Sequence, residues 1–524
     1  MARHDDHDHD HDEHATTPFP TVPVSNGEWL PGEITARQRT VGRVIAEEAD
    51  VQAKRHAMTR GQFLKTAAGT MLGFSVLNRV HGLDAWGDNA VLPVRKVECE
   101  DLDAARERLD VKPYFIMDVQ THHVDQQRFP GSLFCFLRFC TESGDPVCSE
   151  DPSVVGQTNF VREMFIDSET HVGVISGLPS GTPNGPAAMA ATRDFANQLA
   201  ASERCLVQAV IDPNIDNATV PVIGPPETRI ESLEQQVREY GARAIKTYTY
   251  NGNWRLDDEA IAYPMFEEAR RVGIRLINVH KGLPAEFAPG SEESVRVTDL
   301  PKAVADWPKL KFCTYHSGYF TRAEHHPEGK QGLTEFVEVL ESMPKKHRRR
   351  VYAEIGSTFA ITLLSDGNAR CGAGDPVSGP VNTAHLIGQL LKTCGSKNIL
   401  WGTDSIWWGS PQWLIDAFKV LQIPTSLQEE FGYPELREKD KKRIFGLNAA
   451  KLYKVKKKVR KGLCSIDEAA LEDPGSPSAA FIDPDDRLMA LQAAQGGVYG
   501  NRRLHVYGPQ TRRDFIRRFG WNYG

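Results

Sequence analysis

Eight short runs rich in Val, Ile, Phe and Tyr, separated by segments of helical period, constrain this 524-residue chain more than any other feature. In order they are YFIMDVQTH (114–122), HVGVISGL (171–178), CLVQAVIDP (205–213), ARAIKTYTY (242–250), RLINVHKG (275–282), KFCTYHSG (311–318), VYAEIGS (351–357) and ILWGTDSI (399–406). Runs this apolar suit strands buried on both faces, and their alternation with helices suits parallel pairing through helical crossovers. Repeated eight times, the pattern predicts an α/β fold, a (β/α)8 TIM barrel, over residues 111–455.

The flanks read differently. Residues 1–28 open on an alternating His/Asp tract and continue as a Pro/Thr/Val stretch without either period, so a disordered tail is expected there. Residues 29–110 are expected to form a helical extension. Within it, TRGQFLKTAAGTMLGFSVLN (59–78) is similar to a twin-arginine export signal, with Gly61 where the second arginine belongs. The competing reading is an amphipathic helix packed on the main domain or on a second subunit. Export follows from the first reading and a cytoplasmic location from the second. The uncharged stretch from Thr66 to Asn78 is thirteen residues, against the ~20 that cross a bilayer, so no permanent membrane span is expected. Residues 456–524 form a C-terminal extension whose last segment, TRRDFIRRFGWNYG, has the aromatic and arginine content of a docking arm in a homo-oligomer.

Charge narrows the partners. Sixty-two Lys and Arg against 69 Asp and Glu leave a net −7, and the first fourteen residues supply −5 of it. The nearly neutral remainder has no general attraction for nucleic acid, which leaves a small-molecule substrate as the expected partner. Nine cysteines without a CxxC pair form neither a zinc ribbon nor a dense disulfide framework.

In a (β/α)8 barrel, reactive side chains sit at the C-terminal ends of the strands. Gln120 and His122 end the first run, His280 the fifth, His316 the sixth and Asp404 the eighth. Two imidazoles and a carboxylate, His122, His280 and Asp404, form the donor set that a divalent transition metal takes, with Gln120 a candidate fourth ligand through its amide oxygen. One such ion is expected, zinc first and manganese as the alternative. His123 alternates to the opposite strand face, where a structural role is expected. Glu354 and Asp212 reach the mouth as hydrogen-bonding groups. Arg128 or Arg138, in a long first loop with Cys135, Cys140 and Cys148, suits a substrate carboxylate.

These motifs resemble the amidohydrolase superfamily, in the amidohydrolase-related branch that holds aminocarboxymuconate-semialdehyde decarboxylase and γ-resorcylate decarboxylase alongside hydrolases. The resemblance spans about residues 113–453. It rests on MDVQTHHV, NVHKG, TYHSG and WGTDS at the first, fifth, sixth and eighth strands, and on IFGLNAAKLY (444–453) as a closing helix. It implies that His122, His280 and Asp404 are metal ligands and that His316 works beside the metal. Gln120 departs from the His or Glu of the family. Lys246, in the fourth strand, matches the position of a bridging carbamate in binuclear relatives, although an ion-pair or substrate-binding role is the expectation here.

The activity implied is metal-dependent hydrolysis: activated water attacks an amide, ester or lactone carbonyl, with Asp404 and His316 as the catalytic pair. The alternative is non-oxidative decarboxylation of a small aromatic or unsaturated acid by the same residues. A third reading is a non-catalytic metal-binding scaffold.

Overall fold

The computed structural model describes residues 17–23, 34–87, 89–110, 114–124, 156–179, 184–200, 202–219, 227–283, 290–366 and 379–461. Arg128, Arg138, the three loop cysteines, the His/Asp tract and residues 462–524 lie outside that set.

The eight apolar runs form parallel strands in the expected order: β1 Met117–Thr121, β2 Val172–Ile175, β3 Cys205–Val207 resumed as Ala209–Val210, β4 Ile245–Tyr248, β5 Leu276–Gly282, β6 Lys311–Tyr319, β7 Val351–Glu354 and β8 Ile399–Leu400. The break in β3 falls at Gln208, whose backbone N–H still donates to Ile175 O at 3.1 Å. The ring is completed between β1 and the residues after β8. Val119 N donates to Trp401 O (3.1 Å), Asp404 N to Gln120 O (2.9 Å) and His122 N to Ser405 O (2.6 Å), and Thr121 bridges Ser405 in parallel. This is the (β/α)8 barrel.

Inside the ring, Met117, Val119, Val172, Val174, Leu206, Ala244, Leu276, Cys313 and Leu400 pack into an apolar plug, closed from below by Ala449, Ala450 and Tyr453 of the chain's IFGLNAAKLY segment. Above them lies a polar layer. The Gln208 amide nitrogen reaches Tyr315 Oη at 2.6 Å, Tyr453 Oη at 3.0 Å and Val119 O at 3.0 Å. Asn278 Nδ2 donates to Gln208 Oε1 at 3.1 Å. A barrel of this width fills its interior with side chains and leaves no pore.

The helical extension belongs to the same core. Helices Ala36–Arg55, Arg60–Leu64 and Ala67–Val80 each begin on a threonine, Thr35, Thr59 and Thr66, whose hydroxyl accepts an N–H of the first turn. The twin-arginine-like stretch is therefore two capped helices. All residues from Ala67 to Asn78 are buried, and Arg60 pairs with Asp50 at 3.4 Å. These residues pack as helices on the main domain. Among the described residues no helix is long and apolar enough to cross a membrane.

One expectation is corrected. Residues 17–23, within the tract expected to be a disordered tail, are seated against this layer. Phe19 is fully buried, stacked on Trp413 at 5.7 Å and tilted on Phe74 at 5.2 Å. Gly73 permits the contact, since a Cβ there would lie 2.6 Å from the Phe19 ring. A single aromatic anchor buries through tertiary packing and needs no periodicity, which is why a search for period missed it.

Candidate functional site

The polar side chains at the C-terminal strand ends meet above the Gln208 layer. A register shift in β1 between Asp118 and Thr121 accompanies the placement of Gln120 and His122 beside the residues that follow β8. His122 Nε2 lies 3.0 Å from Asp404 Oδ1, and Gln120 Nε2 donates to the same oxygen at 3.0 Å. The other carboxylate oxygen, Oδ2, accepts from Ser357 Oγ at 2.5 Å, and Trp408 Nε1 donates to that hydroxyl at 3.2 Å. Trp407 stacks on His122 with ring centres 5.9 Å apart. Gln120, His122, His280, His316 and Asp404 are all buried.

The two strand-end histidines of β5 and β6 have their tautomers fixed by carbonyls, which only accept. His280 Nε2 donates to Leu283 O at 3.0 Å, and His316 Nδ1 donates to Gly356 O at 2.7 Å. The lone pairs therefore sit on His280 Nδ1 and His316 Nε2. The two rings meet edge to face at 4.8 Å, and the Gln120 amide nitrogen is 3.4 Å from His316 Nε2.

The backbone here is held in sparsely populated conformations. His316 (φ 63°), Ser317 (53°), Ser357 (55°), Asp404 (61°) and Leu283 (37°) all take positive φ without being glycine, and they are five of the eight such residues among those described. Each costs on the order of 1–3 kcal/mol, and such residues cluster where function fixes geometry.

Two buried carboxyls stand behind the cluster. Asp118 accepts from the Thr403 hydroxyl, from Thr403 N and from Gln120 N, while burial pushes its pKa up to about 8. Glu354 accepts from His316 N at 3.1 Å and from Gly356 N, and burial pushes it up to about 7. Gly356 keeps the space clear: a Cβ there would sit 2.5 Å from Glu354 Oε1 and 2.6 Å from Gln120 Oε1.

The other candidates separate from this group. Lys246 lies deeper, its ammonium 3.9 Å from the Tyr315 ring centre and 4.4 Å from that of Tyr248, a cation–π setting. Asp212 accepts from Asn251 Nδ2 at 3.2 Å. His123 packs on Phe160 at 5.5 Å, and burial lowers its pKa to about 4. Sequence reasoning missed Ser357, Trp407 and Trp408. The tandem tryptophans just past Asp404 were the available signal.

The donor chemistry of the set bears on a divalent cation. Among the described residues no three His, Cys, Asp or Glu side chains stand as a ready cage. Even so, His122 Nε2 and Asp404 Oδ1 are 3.0 Å apart, close to the edge of roughly 3.3 Å that two ligands share around an ion with bonds of ~2.0–2.1 Å. His280 has its tautomer set by a carbonyl, the usual arrangement behind a ligating imidazole. The chemistry of the residues fits a cation, provided that the Gln120 N–H now on Asp404 gives way.

A family model described as Amidohydrolase matches residues 179–455, more than half of the chain. No curated protein matches. Among solved structures, the chain is similar to an uncharacterised TIM-barrel protein from Bordetella bronchiseptica (13% identity, 64% of this chain and 97% of that one, TM-score 0.37). It is also similar to 2,6-dihydroxybenzoate decarboxylase from Rhizobium (14%, 65% and 99%, TM-score 0.38). A third is 5-carboxyvanillate decarboxylase from Novosphingobium aromaticivorans with bound manganese (11%, 65% and 97%, TM-score 0.39). With the matched segment running from the end of β2 through the closing IFGLNAAKLY segment, the chain belongs to the amidohydrolase family.

Proposed function

We propose that the chain is a hydrolase acting on an amide, ester or lactone of a small organic substrate at the β-strand mouth. His122, His280 and Asp404 would hold one divalent cation, zinc or manganese, which when bound supplies Lewis-acid polarisation of a substrate oxygen. The observation that carries the reading is the tautomer of His316. Its Nδ1–H is tied to Gly356 O at 2.7 Å, so Nε2 is the lone-pair nitrogen, beside the Gln120 amide. A neutral imidazole presented in this way takes a proton from water as the water attacks, and returns it to the leaving group. Asp404, held through its second oxygen by Ser357, keeps its carboxylate oriented through the cycle. Glu354 fixes the backbone of His316, and Lys246 is a candidate for substrate contact.

Burial of the cluster favours a second reading, decarboxylation. A water-poor pocket raises the free energy of a substrate carboxylate, and His316, once protonated, donates to the carbon that loses CO2. The test is a screen of the purified full-length chain, loaded with Zn(II) or Mn(II), against lactones, N-acyl compounds and carboxylated aromatics. Turnover of the first two without CO2 release supports hydrolysis, and CO2 release from the third replaces it with decarboxylation. No turnover with any substrate in a cation-loaded protein would return the scaffold reading.

A further inference from the structure

We propose that Gln120 is a positioning residue that controls cation entry: its amide N–H groups hold Asp404 and His316 in place, and a cation binds only by displacing them. The inference rests on the cation reading above.

Asp404 Oδ1 is the first of the two acceptors that the amide covers. A carboxylate oxygen offers two lone pairs in its plane, and this one already faces two nitrogens, Gln120 Nε2 and His122 Nε2, each at 3.0 Å. Oδ2 is taken by Ser357. The second Gln120 amide hydrogen is directed at the lone pair of His316 Nε2, 3.4 Å away. One primary amide therefore covers both acceptors on which a cation and a substrate depend.

The orientation of the amide follows from the acceptors around it. Turned over, Gln120 Oε1 would face a carboxylate oxygen and an imidazole lone pair, two repulsive contacts. As placed, Oε1 is buried without a hydrogen-bond donor, in the space that Gly356 leaves open. Leaving a buried amide oxygen unpaired is costly. The N–H contacts to Asp404 and His316 offset that cost. The sequence reading of Gln120 as an oxygen ligand requires the opposite orientation, so the two roles make opposite predictions for its removal.

The test uses the full chain with His4→Ala, His7→Ala, His9→Ala, His11→Ala and His14→Ala, so that the N-terminal tract offers no imidazole ligand. Mn(II) is titrated by electron paramagnetic resonance into this protein with Gln120 present and with Gln120→Met, which keeps the volume and removes both donors. Gln120→Ala serves if the Met variant does not unfold cooperatively. The expected result is one site whose Kd tightens about tenfold on substitution, as loss of a charge-assisted competitor requires. An unchanged Kd would overturn the positioning role while leaving the cation reading intact. A weakened Kd would make Gln120 an oxygen ligand. Failure of both proteins to bind Mn(II) would overturn both readings.

Discussion

The floor and the mouth of this barrel are built from the same kinds of side chain and treat them in opposite ways. At the floor, Gln208, Asn278, Tyr315 and Tyr453 bond one another, and Tyr315 Oη donates to Val119 O at 2.5 Å, so among these groups only Asn278 Oδ1 lacks a partner. At the mouth, Gln120 Oε1 and His122 Nδ1 are buried without partners, and five residues take positive φ. A buried polar group is retained for stability when its bonds are made and for chemistry when they are not. The comparison predicts that changes at the floor cost stability and spare activity, and that changes at the mouth do the reverse.

The largest effect is expected at His316. His316→Asn should keep the fold and about one cation per chain while kcat falls ~10²–10⁴-fold and the pH profile loses one limb, measured on whichever substrate the screen identifies. A cation-free variant would instead make His316 a ligand and reopen a bridging role for Lys246. Next comes Phe19, a pure packing residue far from the mouth in sequence. Phe19→Ala should lower stability by ~3–5 kcal/mol in denaturant unfolding with kcat unchanged. A deletion ending before Thr17 should be silent, whereas one extending to Gly32 should destabilise, because it removes this anchor.

At the floor, Tyr453→Phe withdraws a hydroxyl from Gln208 and Asn278 and should cost ~1–3 kcal/mol, again without a change in kcat. The last effect is in the dependence of stability on pH. Asp118 and Glu354 have native pKa values raised by burial to about 8 and about 7, above their unfolded values of ~4. Between those limits the native state binds more protons than the unfolded state, so stability falls as pH rises from about 5 to 8 and levels off beyond. With chelator present, Glu354→Gln should flatten that slope, and a slope unchanged in both size and position would mean that Glu354 is ionised throughout.

The same contrast explains what the sequence made legible. His122, His280, His316 and Asp404 stood out because a two-residue period and strand-end placement single out polar residues in apolar runs. Gln120 was found by the same rule, but the direction of its amide depends on partners from β6 and from the chain after β8, which no local pattern encodes. Ser357 and Trp408 follow strand ends on irregular backbone, where period carries no information. Thr59 and Thr66 carried the clue to the helices of the 59–78 segment, because a threonine hydroxyl accepts a first-turn N–H at a helix start. Phe19, isolated in an aperiodic tract, had no local signal at all.

The measurement closest to the central claim is the cation content of Asp404→Asn beside the parent, both in the full chain carrying the five tract substitutions, after equilibration with Zn(II) or Mn(II) and removal of free ion. The mouth as described here predicts close to one equivalent in the parent, a marked loss in the variant, and cooperative unfolding in both. Equal cation content in the two proteins would contradict it.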